Sequence, residues 1–157
     1  MATPTPFIWF DGTAEDAARF YAETFDGAKL GNITHYGKTD RAVEGSVLTA
    51  EFEINGLSFV GLNGGSHFKL TPAVSFMITC DTQEQIDRYW DKLTDGGETM
   101  ACGWVTDKFG VTWQITPSML MGLLFSDNPA KSQAAMQAME SMVKLDIAEI
   151  QKAYDEA

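Results

Sequence analysis

The side chains able to do chemistry in this sequence are few and scattered. His35 closes a run of strand formers beside Tyr36, where it is expected at the surface end of a strand. His67 lies in Gly64-Gly-Ser-His-Phe-Lys69, a glycine-rich stretch suited to a loop at a pocket mouth. Ser66-His67 does not make a triad, because a general base must be oriented by a third group and no carboxylate stands nearby in the chain. Cys80 and Cys102 show no CxxC spacing and are expected to act as small buried hydrophobes. Trp104 follows Gly103, which suits a flat ring that stacks on a ligand. In Val111–Thr116 the alternation of a strand puts Thr112, Gln114 and Thr116 on one face and Val111, Trp113 and Ile115 on the other. The same rule groups Ser75, Met77 and Thr79 opposite Phe76 and Ile78. Hydroxyls, an amide and an indole are groups that bind; none of them is a nucleophile with its base.

The elements that position these residues come from an internal duplication. Thr13-Ala-Glu-Asp-Ala-Ala-Arg-Phe-Tyr-Ala-Glu-Thr-Phe-Asp-Gly27 matches Thr82-Gln-Glu-Gln-Ile-Asp-Arg-Tyr-Trp-Asp-Lys-Leu-Thr-Asp-Gly96 without a gap, at a constant offset of 69 residues that also places Phe7 on Phe76. Each copy is an amphipathic helix with Thr13 or Thr82 as N-cap, an acid in the first turn and a glycine stop. Ala17, Phe20, Tyr21, Thr24 and Phe25 form one buried stripe; Ile86, Tyr89, Trp90 and Leu93 form the other. Strand-forming runs flank each helix: Pro6–Phe10, Lys29–Tyr36, Ser46–Ile54 and Leu57–Leu62 in the first copy, with a hairpin turn at Asn55-Gly56. The second copy has Val74–Thr79, Glu98–Gly103, a stretch at Trp104-Val105 and Val111–Thr116 after a turn at Asp107–Gly110. Alternation predicts Phe7, Trp9, Leu57 and Phe59 in the core, with Pro6, Ile8, Phe10, Ser58, Val60 and Leu62 opposite. The result is β-α-β-β-β written twice, an α+β fold.

A tail follows. Pro117-Ser118 opens a short apolar helix over Met119–Phe125, Asp127-Asn-Pro129 breaks it, and one long helix is expected from about Ala130 to Tyr154. Its apolar stripe, Met136, Met139, Val143, Ile147, Ile150 and Tyr154, must bury against something. The expected division is 1–72 for the first module, 73–117 for the second and 118–157 for the tail. The formal net charge of -11 disfavours nucleic acid and anionic membranes. Absence of a basic, apolar leader or a spanning run, with two unpatterned cysteines, gives a cytoplasmic protein as the expectation.

The opening Phe7-Ile-Trp-Phe-Asp-Gly…Glu15…Ala18-Arg-Phe-Tyr21…Phe25 resembles that of PhnB-like proteins of the vicinal-oxygen-chelate superfamily, which carry a 3-demethylubiquinone-9 3-methyltransferase domain label. So does Cys102-Gly-Trp-Val-Thr-Asp-Lys-Phe-Gly-Val-Thr-Trp-Gln-Ile-Thr-Pro117, and Met139…Met142-Val-Lys-Leu-Asp-Ile147 is similar to the C-terminus of that group. The resemblance implies paired βαβββ modules of the glyoxalase/bleomycin-resistance kind, with mixed sheets curled around a cavity and usually a homodimer. Metal-dependent members place His, Gln or Glu at positions that correspond here to Pro6, Val60, Ser75 and Gln114. Of these only Gln114 can coordinate, as a neutral carbonyl donor, so no metal and no other cofactor is expected. The resemblance and the alternation put Gln114, Thr112 and Ser75 in a ligand site, and Trp104, for its place beside Gly103, and His67, for its glycine-rich loop, are expected to join them.

Three functions are compatible with these residues. The first is a module that binds a small apolar or aromatic molecule, as a homodimer and without metal. The second is an enzyme, a glyoxalase-type lyase or isomerase or the methyltransferase of the family label, although the sequence has no G-x-G-x-x-G turn for S-adenosylmethionine. The third is a protein contact made by the acidic, Met-rich tail.

Overall fold

The computed structural model describes residues 2–157, which form two compact units, one ending at Leu70 and the other Thr71–Ala157. In the first unit β1 (Phe7–Phe10) leads into α1 (Ala14–Thr24), followed by β2 (Lys29–His35), β3 (Val47–Ile54) and β4 (Leu57–Asn63). The second unit repeats this with β5 (Phe76–Cys80), α2 (Gln83–Thr94), β6 (Glu98–Thr99), β7 (Trp104–Thr106) and β8 (Thr112–Pro117). It adds α3 (Leu120–Leu124), α4 (Pro129–Glu140) and α5 (Ile147–Asp155). Each unit holds a four-stranded mixed sheet, ordered β1-β4-β3-β2 in one and β5-β8-β7-β6 in the other. In both, the first strand runs parallel to the last and the remaining neighbours are antiparallel. The α+β architecture expected from the duplication is the one observed.

Each helix covers one face of its own sheet. Ala14, Ala17, Ala18 and Tyr21 of α1 are fully buried, and Tyr21 meets Phe52 at 5.1 Å between ring centroids. Phe52 in turn stacks on Phe59 at 4.9 Å. In the second unit Ile86, Tyr89, Trp90 and Leu93 of α2 are buried, as their spacing predicts, over a sheet whose inner residues include Trp113 and Ile115. The hairpin at Asn55-Gly56 has both residues at positive φ, 47° and 89°, the signature of a type I′ turn.

The first strand departs from expectation by one residue. Phe7 is 64% exposed, whereas Ile8 and Phe10 are buried, so Ile8 and Phe10 take the core side and Phe7 and Trp9 the open side. The cause is a single inserted residue. Phe10-Asp11-Gly12-Thr13 in the first copy stands where Cys80-Asp81-Thr82 stands in the second. Gly12 absorbs the insertion at φ 86°. Phe7 pairs with Val60 and Met77 with Gln114, so the strand equivalent of Phe7 is Met77 and not Phe76. Because side chains alternate with period two, a shift of one exchanges the faces.

Other expectations are corrected locally. Leu57 is exposed because it is the first residue after the hairpin turn. Thr13 makes no side-chain cap; the amide oxygen of Asn63 in β4 accepts from Ala14 N–H at 2.9 Å instead. Thr82 caps α2 as expected, accepting from Gln85 N–H at 3.2 Å, while Gln85 accepts from Asp81 N–H at 2.8 Å. Pairing of the Glu98–Gly103 run stops at Thr99, since Cys102 and Gly103 turn the chain at φ 61° and 78°.

The long tail helix is in fact two helices. Ser141–Asp146 breaks it, and Asp146 starts α5 by accepting from Glu149 N–H at 3.0 Å. Leu120, Ala135, Leu145 and Ile150 form the tail's own core, while Val143, assigned to the stripe, is 49% exposed. The segment between α4 and α5 is tied to the second module. Met142 and Val143 carbonyls accept from Cys102 and Gly103 N–H at 2.8 Å each. Gln83 reaches Leu145 O and Ile147 N, and Lys144 pairs with Asp87 at 2.8 Å.

Candidate functional site

The open face of the second sheet is built from the ladder register. Met77 lies beside Gln114 in the parallel pair β5·β8, and Trp104 opposite Gln114 in the antiparallel pair β7·β8. Residues paired in this way point to the same face, so methionine, amide and indole form one row across three strands. Thr112 and Thr106 form the next row, with their hydroxyls 3.0 Å apart, and Glu98 extends it into β6. Thr79 and Thr116 lie on the other side of Gln114.

Gln114 is half-buried and its Nε2 donates to Ser75 Oγ at 2.8 Å. That bond fixes the amide, and Gln114 Oε1 accepts no hydrogen bond among the described residues. Since Ser75 Oγ accepts from the amide, its own O–H is left to donate. The pair therefore presents one fixed acceptor and one donor beside an indole and a thioether. Thr112 is buried and engaged with Thr106, so it shapes the face more than it offers a hydrogen bond. Trp113 and Ile115 are fully buried, as the alternation assigns them.

The structure brings together Gln114, Ser75, Trp104 and Thr112; His67 belongs to the first unit, where it is exposed. His35 also lies at the exposed end of β2, and Cys102 is a half-buried turn residue. Sequence reasoning passed over Met77 as a site residue, although it shares the alternating face with Ser75. It also missed Asp107, which is buried and accepts from Phe109 N–H, Val111 N–H and Trp113 Nε1–H at 2.8, 3.1 and 2.8 Å. An acid followed by a glycine-containing turn and a strand was the available signal, but it marks a structural carboxylate that locks the turn under β8.

A divalent catalytic ion would need several imidazole or carboxylate donors on this face. On this face Ser75 and Gln114 offer a hydroxyl and an amide; on the first sheet the equivalents are Val60 and, because β1 is shifted by one residue, Thr5 rather than the expected Pro6, an alkyl group and a hydroxyl. Among the described residues no three of His, Cys, Asp and Glu lie close enough together to hold a metal ion. The donor set does not fit such an ion.

Residues 2–116 match the family model described as 3-demethylubiquinone-9 3-methyltransferase, so the match ends in β8 and leaves the helical tail outside it. The PhnB protein of Bacillus cereus is 34% identical over 74% of this chain and all of its own, with a TM-score of 0.68. The Pseudomonas aeruginosa protein PA1353 is 17% identical, covering 74% of this chain and 98% of its own at a TM-score of 0.62. The fosfomycin resistance protein FosX of Listeria monocytogenes, solved with Mn(II) and sulfate, is 15% identical over 71% and 88% at 0.51. These last two are likenesses of fold. A comparison with curated proteins returns no match. With the duplicated βαβββ topology, the family match and the identity to PhnB in agreement, the chain belongs to the 3-demethylubiquinone-9 3-methyltransferase family, the PhnB-like group of the vicinal-oxygen-chelate superfamily.

Proposed function

We propose that the protein binds a small, largely apolar or aromatic molecule on the open face of its second sheet, without the help of a metal ion. The observation that carries this reading is the Gln114–Ser75 pair, an oriented acceptor and donor flanked by Trp104 and Met77. Such a face recognises a ring bearing one hydrogen-bonding edge: the ring lies against indole and thioether, and the edge meets amide and hydroxyl. Thr112 and Thr106, bonded to each other, form the wall beyond.

Native mass spectrometry of the gently purified protein tests both parts. The expected spectrum carries an organic adduct and no metal; about one equivalent of Zn, Mn, Ni or Fe per chain in elemental analysis overturns the metal-free reading. For the ligand so identified, Gln114→Ala is expected to weaken binding by roughly 1–3 kcal/mol, the cost of an unmade buried hydrogen bond. Equal affinity in calorimetry would remove Gln114 from the site.

The family description favours a second reading, an enzyme that transfers a methyl group. That reaction needs a methyl donor held beside the acceptor. Calorimetric titration with S-adenosylmethionine separates the readings: no heat of binding is expected, and saturable binding would favour the enzyme.

A further inference from the structure

We propose that the first unit carries a second ligand site, for a flat organic zwitterion: an aromatic ring bearing both a cationic amine and an anionic group. The site is a cleft of about 710 Å³ lined wholly by first-unit residues, among them Trp9, Asp11, Asp16, Tyr36 and Arg41. Its volume lies in the range of small-molecule sites.

The aromatic wall is built and held. Trp9 Nε1 donates to Gly65 O at 2.7 Å, and Phe68 packs edge-on against the indole at 5.0 Å. A Cβ at Gly64 would collide with the indole ring, so the ring lies directly on glycine backbone. Tyr36 is tied by its O–H to Asn63 O at 2.6 Å. Both rings are thus fixed before any ligand arrives, which lowers the ordering cost of binding.

The charges are the second element. Glu15, also at the cleft, is engaged by Arg19 at 2.7 Å. Asp11, Asp16 and Arg41 line the same cleft, yet none of their side chains makes a hydrogen bond or ion pair among the described residues. A purely apolar ligand would leave all three unused, and a singly charged one would meet a like charge. A molecule carrying both signs satisfies them together, with its ring on Trp9, its ammonium toward Asp11 and Asp16 and its anion toward Arg41.

The probes are L-phenylalanine, phenethylamine and 3-phenylpropionate, which share one ring and chain and differ in charge. Titration followed by ¹⁵N NMR is expected to show saturable shifts for L-phenylalanine at the Trp9 indole N–H and at the amides of residues 9–16, 36–48 and 62–65. Each singly charged analogue is expected to bind roughly two- to fivefold more weakly, the scale of an exposed ion pair. Arg41→Gln should abolish the preference for L-phenylalanine over phenethylamine, and Asp11→Asn with Asp16→Asn the preference over 3-phenylpropionate. These exposed substitutions leave the core untouched, so they test the site even if Trp9→Ala fails to fold. No saturable shift at millimolar probe, shifts confined to other residues, or equal binding of the three probes would each overturn the proposal.

Discussion

Asp107 shows what a single buried carboxylate does in this fold. Its three N–H partners come from the turn that it begins and from the indole of Trp113, the largest fully buried side chain of the chain. Hydrogen bonds to a charged acceptor are worth about 1.5–3 kcal/mol each in the folded state. Asp107→Asn keeps one oxygen for the backbone donors but turns an NH₂ toward Trp113 Nε1–H, setting donor against donor. The variant is expected to lose roughly 2–3 kcal/mol of unfolding free energy in urea. A variant as stable as the parent would show that the charge contributes nothing. At this scale the sequence was partly legible. Alternation alone puts Gln114 and Ser75 on one face, and strand pairing brings Trp104 beside them, whereas Asp107 reads as any turn acid. Burial and partners are properties of the folded chain, and a lone Asp before a glycine turn does not announce either.

At the scale of elements, the duplicated helices were legible because their caps, stripes and glycine stops repeat at one fixed spacing. The same regularity misled the reading of β1, since the offset that aligns the helices fails across Gly12. A one-residue insertion in a loop is invisible to helix periodicity and exchanges every face of the adjoining strand. The tail helix was overextended for a related reason. Val143 and Ile147 continue the three-to-four spacing, but Asp146 with Glu149 three residues on is the start signal of a new helix. That break lets Leu145 reach Gly103, where even a Cβ would stand 3.0 Å from the leucine Cγ. Leu145→Ala is accordingly expected to cost about 2–4 kcal/mol, read from denaturant unfolding; a cost under about 0.5 kcal/mol would mean that the tail does not fold as one unit with the second module.

The nearby ion pair gives the same junction a pH dependence. The hydrogen bond from Lys144, then that from Gln83, holds the Asp87 carboxyl below its usual range, and the bond to Asp87 raises the Lys144 ammonium above its own. A depressed carboxyl stabilises the folded state above its unfolded pKa and loses that contribution as pH falls through the folded value, so the acid limb lies below about pH 4. A raised ammonium contributes below its unfolded pKa, near 10.4, and loses that contribution only at still higher pH. Both side chains are about two-fifths exposed, 44% and 41%, so the effect is small and screened by salt. Lys144→Met should flatten the acid limb of stability against pH at low ionic strength and change nothing in about 1 M salt. An unchanged acid limb at low salt would show that the pair does not contribute.

For the whole molecule, the duplication explains the architecture but leaves the surfaces unassigned. Phe7, on the open face of the first sheet, is 64% exposed, and Phe125 and Met121 of the tail are 71% and 52% exposed. Exposed apolar area of this kind on a chain of net charge -11 is expected to be covered by a second copy, although like charge resists association outside the contact. Sequence patterning identifies which faces are apolar; what covers them depends on a partner that no intrachain period encodes. The tail bears on this at its base. Deleting residues 130–157 would remove Ala135, Leu145 and Ile150 from the cluster around Leu120 and would take away the carbonyls that receive Cys102 and Gly103 N–H. Uncovering side chains worth roughly 1.5–3 kcal/mol each on burial, at a turn that then loses two hydrogen bonds, should leave a chain that aggregates or fails to dimerise. Light scattering of the full chain is expected to give twice the monomer mass, and the truncated chain a lower melting temperature with loss of that species. A truncated chain that stays soluble and dimeric, with its melting temperature unchanged, would reduce the tail to a passive appendage and place the dimer contact outside it.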